Sequence, residues 1–185
     1  MRPSPRLLAL IAAGHLVLPL AQACEKAAAP EARPTGELGP EMARRMPAAL
    51  GSFRAVTAAA ETRSEVHGNA VPGLERTFES DGREARLRVV DTQHARQLKQ
   101  AFRTALGLEM RSPDERLVNT VVQGEPAFVQ WSHASGESEL EVLACDRYLV
   151  SVKVWPTTEA EEAKRLVPGG LHALLGCPAP ETPAR

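Results

Sequence analysis

The stretch Ser132-His133-Ala134-Ser135-Gly136-Glu137-Ser138 puts three serines, a histidine and a carboxylate within seven residues. A hydroxyl beside an imidazole can do nucleophilic hydrolysis if the imidazole takes the hydroxyl proton and a third group orients it. The spacing matches no nucleophile motif: the chain has no G-x-S-x-G elbow and no serine three residues ahead of a lysine. Small polar residues between two strand-like segments are first of all a loop. Carboxylates offer the other hydrolytic route, since any two of the 23 acids that converge could act as acid and base. Glu137, Glu139 and Glu141 alternate with Ser138, Leu140 and Val142, so all three project from one face of a strand. Like charges so placed belong on a solvated face, with a cation-attracting strip as the functional alternative. Arg83, Arg86 and Arg88 are their basic counterparts and would pair with them if the two strands were neighbours.

Other chemistries find less material. Four of the five histidines, His67, His94, His133 and His172, stand singly, with no H-x-x-x-H pair and no adjacent cysteine. Metal binding needs several ligands converging, so no metal site is expected and each histidine reads as a surface residue. There is no P-loop and no G-x-G-x-x-G, and no cofactor is expected. Trp131 and Trp155 are the candidate binding residues, because exposed tryptophan marks interfaces; core packing is the competing reading of both.

The first 23 residues have the three-part layout of a secretory signal: Arg2 and Arg6, an apolar run from Leu7 to Leu18, and Ala21-Gln22-Ala23 as a small-x-small cleavage site. The apolar run is shorter than the roughly 20 residues a permanent span needs. The chain carries 22 Lys+Arg and 23 Asp+Glu. Losing Arg2 and Arg6 leaves 20 against 23, a net charge near −3, which gives no electrostatic basis for nucleic-acid binding. Three cysteines, Cys24, Cys145 and Cys177, are an odd number for an exported chain. If Cys24 is acylated, Cys145 and Cys177 can pair across 32 positions. Such a bridge contributes about 3–4 kcal/mol in the chain-entropy picture. No C-x-x-C spacing supports a redox-active pair.

The elements that must position these residues follow from periodicity. Residues 24–39 are rich in Ala, Pro, Glu and Gly and read as a flexible tether. The domain spans 40–177, and the Pro-rich 178–185 reads as a disordered tail. Pro40 to Leu50 suits a short helix ended by Pro47, and Phe53 to Thr57 suits a first strand. Runs 74–79 and 84–91 flank Asp81-Gly82, a strong hairpin signal. Ala95, Leu98, Ala101, Phe102, Ala105 and Leu106 share one helical face, capped by Asp91 or Thr92 and ended by Gly107. Strand-like runs follow at 117–123, 126–132, 138–145 and 148–155, the last with Val150, Val152 and Val154 at period two. Thr158 and Glu161 suggest a capping box for a helix through Val167, and 171–175 a final helical turn. The expected fold is α+β: a curved antiparallel sheet of about five to six strands with helices packed on it.

In outline, this element order resembles the PsbP-like sandwiches, in which helices cover a curved antiparallel sheet. The blocks MPAALGSFRA, FESDGREARLRVVDT and LACDRYLVSVKV look like those of small bacterial envelope lipoproteins, and the residues before Cys24 resemble a lipobox. Ala21 stands where that motif prefers Leu, and Gln22 is bulkier than usual, so a plain cut after Ala23 is the alternative. The resemblance implies a periplasm-facing domain, anchored in the bacterial cell envelope by a lipid on Cys24, with a soluble periplasmic or secreted protein as the alternative. It brings no catalytic residue. The expected role is a non-catalytic binding module for another envelope protein or a small apolar ligand, against an envelope hydrolase using carboxylates or the Ser132–Ser138 loop. Labelled palmitate fed to expressing cells is expected to enter the mature chain and to be lost in Cys24→Ser. An intact mass matching an unmodified Cys24 would overturn the anchor.

Overall fold

The computed structural model describes residues 38–66, 69–112 and 114–180, without the side chains of 64–66, 69, 70 and 94. The signal segment, Cys24, most of the tether and residues 181–185 lie outside the described residues.

Two antiparallel meanders meet in one open sheet. The first comprises β1 (Ala49–Leu50), β2 (Phe53–Ala55), β3 (Ala60–Val66), β4 (Asn69–Ser80) and β5 (Arg83–Asp91). The second comprises β6 (Met110–Arg111), β7 (Glu115–Val122), β8 (Glu125–Ser132), β9 (Glu137–Ala144) and β10 (Tyr148–Trp155). The sheet order is β1-β2-β4-β5-β10-β9-β8-β7-β6, with β3 also on β4. The last strand therefore lies in the middle, against β5. Their register sets Val89 opposite Val150, Leu87 opposite Val152 and Ala85 opposite Val154, and all six side chains are fully buried. The Ser80–Arg83 hairpin forms as its sequence predicts: Asp81 and Gly82 take φ 51° and 74°, the left-handed pair whose twist suits a two-residue turn. Gln123 and Gly124, at φ 51° and 86°, do the same between β7 and β8.

Alternation gives the sheet two different faces. One carries Phe78, Leu87, Val129, Leu140 and Val152 into a core closed by α1 (Pro40–Arg45), α3 (Glu162–Arg165) and α4 (Leu171–Leu175), which contribute Met42, Ala163, Leu171 and Leu174. The other face receives α2 (Arg96–Leu106). This helix buries Leu98 and Phe102 against Val90, Phe128, Leu143 and Leu149. Asp91 caps the single 3-10 turn leading to α2 by accepting from the Gln93 N–H at 2.9 Å. Lys99 and Arg103 of α2 ion-pair with Asp146 in the β9–β10 turn and hold its carboxyl below the usual carboxylate range, the Lys99 bond being the largest cause.

The sheet is larger than the sequence suggests and the helices are fewer and shorter, so a mostly antiparallel open sheet with short helices replaces the five-to-six-strand expectation. The first strand expected at Phe53 to Thr57 forms as the three residues of β2, and two of the added strands, β1 and β6, are two-residue rungs. β3 is hidden by its composition, AETRSEV, and the first half of β4 by Pro72 and Gly73. That half lies beyond the rungs shared with β5, so only one edge carries a ladder and a proline is tolerated. The helix expected through Val167 shrinks to four residues. The Thr158–Glu161 capping box does not form: α3 has no side-chain cap, and ahead of it Thr157 Oγ1 accepts from the Glu159 N–H at 3.0 Å instead. Leu38, placed in the tether by its neighbours' composition, is 1% exposed and packs in the main core, because it is the only large apolar side chain there.

Leu140→Ala, at the centre of this core, is expected to lower unfolding free energy by about 2–5 kcal/mol. Val121→Ala, at a residue 64% exposed, is expected to change it by less than about 0.5 kcal/mol. Urea midpoints at constant slope measure both.

Candidate functional site

Trp155 is the candidate the structure leaves accessible. It ends β10 opposite Glu84, half-buried. The Arg86 guanidinium carbon sits 4.7 Å from its ring centroid and Lys153 Nζ 5.6 Å away. Both cations are tied to acids: Arg86 to Glu84 at 2.8 Å, and Lys153 to Glu137 at 2.8 Å. An aromatic ring framed by two cations, each with a competing carboxylate partner, can exchange those partners for the groups of a bound molecule. Trp131, the other candidate, is 7% exposed and lines the interior instead, because it falls on the core-facing side of β8. Its indole N–H has no acceptor among the described residues.

Inward from Trp155, register lays charge across the sheet in rows. Glu75, Arg88, Ser151 and Glu141 form one row; Thr77, Arg86, Lys153, Glu139 and Gln130 form the next. The acidic strand β9 and the basic strand β5 are thus one strand apart rather than neighbours, and Lys153 and Ser151 of β10 bridge them. Burial pushes the Glu139 carboxyl above its usual range; Glu141 adds repulsion, while the Ser151 hydroxyl, donating at 2.6 Å, and Lys153 oppose the shift. Burial pushes the Arg88 guanidinium down, against Glu75, Glu139 and Glu141, which hold it up. Arg88 lies across β4 and donates to the Val71 carbonyl at 3.0 Å. Gly73 makes room for this: a Cβ there would stand 2.8 Å from the Val89 carbonyl oxygen and 3.4 Å from Arg88 Nε.

The Ser132–Ser138 loop does not assemble a nucleophile. His133 and Ser135 are exposed, and the His133 ring lies 5.7 Å from that of Trp131. Ser138 is fully buried; its hydroxyl donates to the Ala160 carbonyl at 2.8 Å and holds α3 to the sheet. No hydrogen bond joins a serine of this loop to His133 among the described residues.

A second cluster lies at the far end of β8 and β9. Cys145 and Cys177 form a disulfide with a Cα–Cα distance of 6.5 Å, so the expected bridge does pin the C-terminal helical segment to the sheet. Beside it, Glu125 accepts from the Cys145 N–H at 2.9 Å and meets His172 Nε2 at 3.0 Å. Each of these side chains is 11% exposed, so His172 is not the surface residue its isolation in sequence suggests. Nothing local marks the pair, because Glu125 and His172 are 47 positions apart. The only signal was the nearness of His172 to Cys177.

No protein-family model matches the chain, and no match exists among curated proteins or solved structures. No helix among the described residues is long and apolar enough to cross a membrane.

Because the folded state holds the Glu139 proton more tightly than the unfolded chain does, it binds more protons between the two pKa values. The Glu139 contribution is therefore fully present below the unfolded value and is lost as pH rises through the raised folded value. Glu139→Gln is expected to gain stability relative to the parent as pH rises through that window. Chemical denaturation in a pH series measures the difference, and a flat difference would refute the assignment.

Proposed function

We propose that this chain is a non-catalytic binding module of the bacterial cell envelope, periplasm-facing and held to the membrane by a lipid on Cys24. It engages another envelope protein through the charged sheet face around Trp155. The observation that carries this reading is the accessible Trp155 ring between Arg86 and Lys153. A polar face with one half-buried aromatic suits a protein surface, where a single tryptophan can supply much of the binding energy. A small apolar ligand between sheet and helices fits less well, since residues such as Leu140, Val142 and Leu171 already fill that space at 0% exposure. The signal-like leader, the cysteine count and the Cys145–Cys177 bridge support an oxidising compartment.

The hydrolase reading retains one supporting feature, the Glu139 carboxyl that burial pushes above its usual range. A general acid needs a second group positioned for attack, and its neighbour Glu137 is engaged by Lys153.

A photo-crosslinking residue at exposed Glu79, on the Trp155 face, is expected to capture one discrete partner in intact cells. Adding Trp155→Ala should cut the yield roughly tenfold, the scale of an interface hot spot. The same probe at Glu161, beside α3, should capture no such partner. Equal labelling from both positions would overturn the interface.

A further inference from the structure

We propose that Cys145, Cys177, His172 and Glu125 form a zinc-binding site whose oxidised, metal-free state is the disulfide. The proposal stands on this cluster alone and does not depend on the Trp155 interface or the anchor. Glu125 Oε, Cys145 Sγ and His172 Nε2 all lie within 4.8 Å of one another, and Cys177 Sγ is bonded to Cys145 Sγ. Three potential ligands of three chemical types therefore converge, and Cys177 brings a second sulfur through its bond to Cys145. Tetrahedral zinc with Zn–N and Zn–O bonds of about 2.0–2.1 Å separates those two atoms by about 3.3 Å; His172 Nε2 and Glu125 Oε1 are 3.0 Å apart. Two thiolates with a buried imidazole and carboxylate are a borderline-soft set that favours zinc over calcium or magnesium.

Two features distinguish this corner from a plain structural bridge. A bridge needs no ionisable pair beside it, and burying Glu125 and His172 together carries a desolvation cost. Contacts other than the S–S bond also hold the segments that carry the ligands. Gln123 holds the start of α4 independently: its Oε1 accepts from the Leu171 N–H at 3.1 Å and its Nε2 donates to the Pro168 carbonyl at 2.7 Å. Leu171, Leu174 and Leu175 are buried in the main core, and the Cys177 N–H donates to the His172 carbonyl at 3.1 Å. The Glu125 carboxylate is oriented by the Cys145 N–H, as outer hydrogen bonds orient ligands at metal centres. Both sulfurs border an open pocket of about 470 Å³, lined also by Tyr148, Pro178 and Pro180, through which a reductant can approach.

The interconversion balances with a dithiol as reductant. The dithiol supplies two electrons and two protons, the Cys145–Cys177 bond breaks to two thiols, and the dithiol leaves as its own disulfide. Zinc then binds both sulfurs as thiolates, releasing two protons to solvent, and takes the neutral His172 imidazole through Nε2 and the ionised Glu125.

The test uses the full chain with Cys24→Ser, reduced by a dithiol that is then removed without oxygen, and Co²⁺ as the probe. One equivalent is expected to give thiolate-to-cobalt charge-transfer bands and the visible bands of tetrahedral cobalt, with Zn²⁺ displacing it. The oxidised chain and the Cys145→Ser, Cys177→Ser double variant should give neither. His172→Ala and Glu125→Gln should each weaken zinc binding roughly tenfold or more. Circular dichroism makes every outcome decisive. A reduced chain that stays folded but shows no charge transfer overturns the site, as does one that unfolds and is not restored by Zn²⁺, or one whose affinity is untouched by His172→Ala. Zinc-driven refolding supports it.

Discussion

The pairing of β5 with β10 is the constraint on which the rest of this molecule depends. It joins two meanders that are otherwise separate in sequence, through eight consecutive residue pairs from Tyr148–Asp91 to Trp155–Glu84. On one face, its aliphatic rungs are the centre of the main core. On the other, the same rungs set Arg86 beside Lys153 and Arg88 beside Ser151, creating the polar rows. One end is locked by Asp91, 2% exposed, which accepts from Arg147 Nη2 at 2.6 Å while also capping the turn into α2. A single carboxylate thus fixes the strand pair, the β9–β10 turn and the start of the crossover helix. Removing the Arg147 charge would leave the buried Asp91 carboxylate without its cation.

Much of this was legible because local pattern and tertiary demand agree. Asp81-Gly82 reads as a hairpin because a type I′ turn needs two left-handed residues, and Val150, Val152 and Val154 read as a strand because they meet buried partners on both sides. The α2 face was readable from Leu98 and Phe102 for the same reason. β3 was not: it is an outer strand whose Glu61 and Arg63 are exposed, so no apolar alternation is required there. Trp131 and Trp155 show the limit at the site. Both lie in good strands, and only the position of each within its strand decides which one faces the core. Glu125 and His172 were unreadable because chain reversal, not spacing, brings them together.

The molecule handles charge in three ways. Exposed pairs such as Arg111–Glu109 at 2.7 Å contribute little in water. On the sheet rows Arg88 and Glu141 are buried at 7% exposure, and burial first, then repulsion from Glu141, raises the Glu139 carboxyl above its usual range. Asp91, 2% exposed, and Glu125 each accept from a backbone N–H and from a basic side chain at contact distance.

The place of β10 also dictates an order of events. The strand at the middle of the sheet is the last of the described strands to be made, and β5 has no partner on that edge until residues 148–155 have emerged. A nascent chain that stops short of them exposes Leu87 and Val89 beside an open ladder and cannot close its core. Such non-local closure folds late and as a unit. A chain whose core stays open until residues 148–155 are made is well matched to any route that must thread it, extended, through a narrow channel.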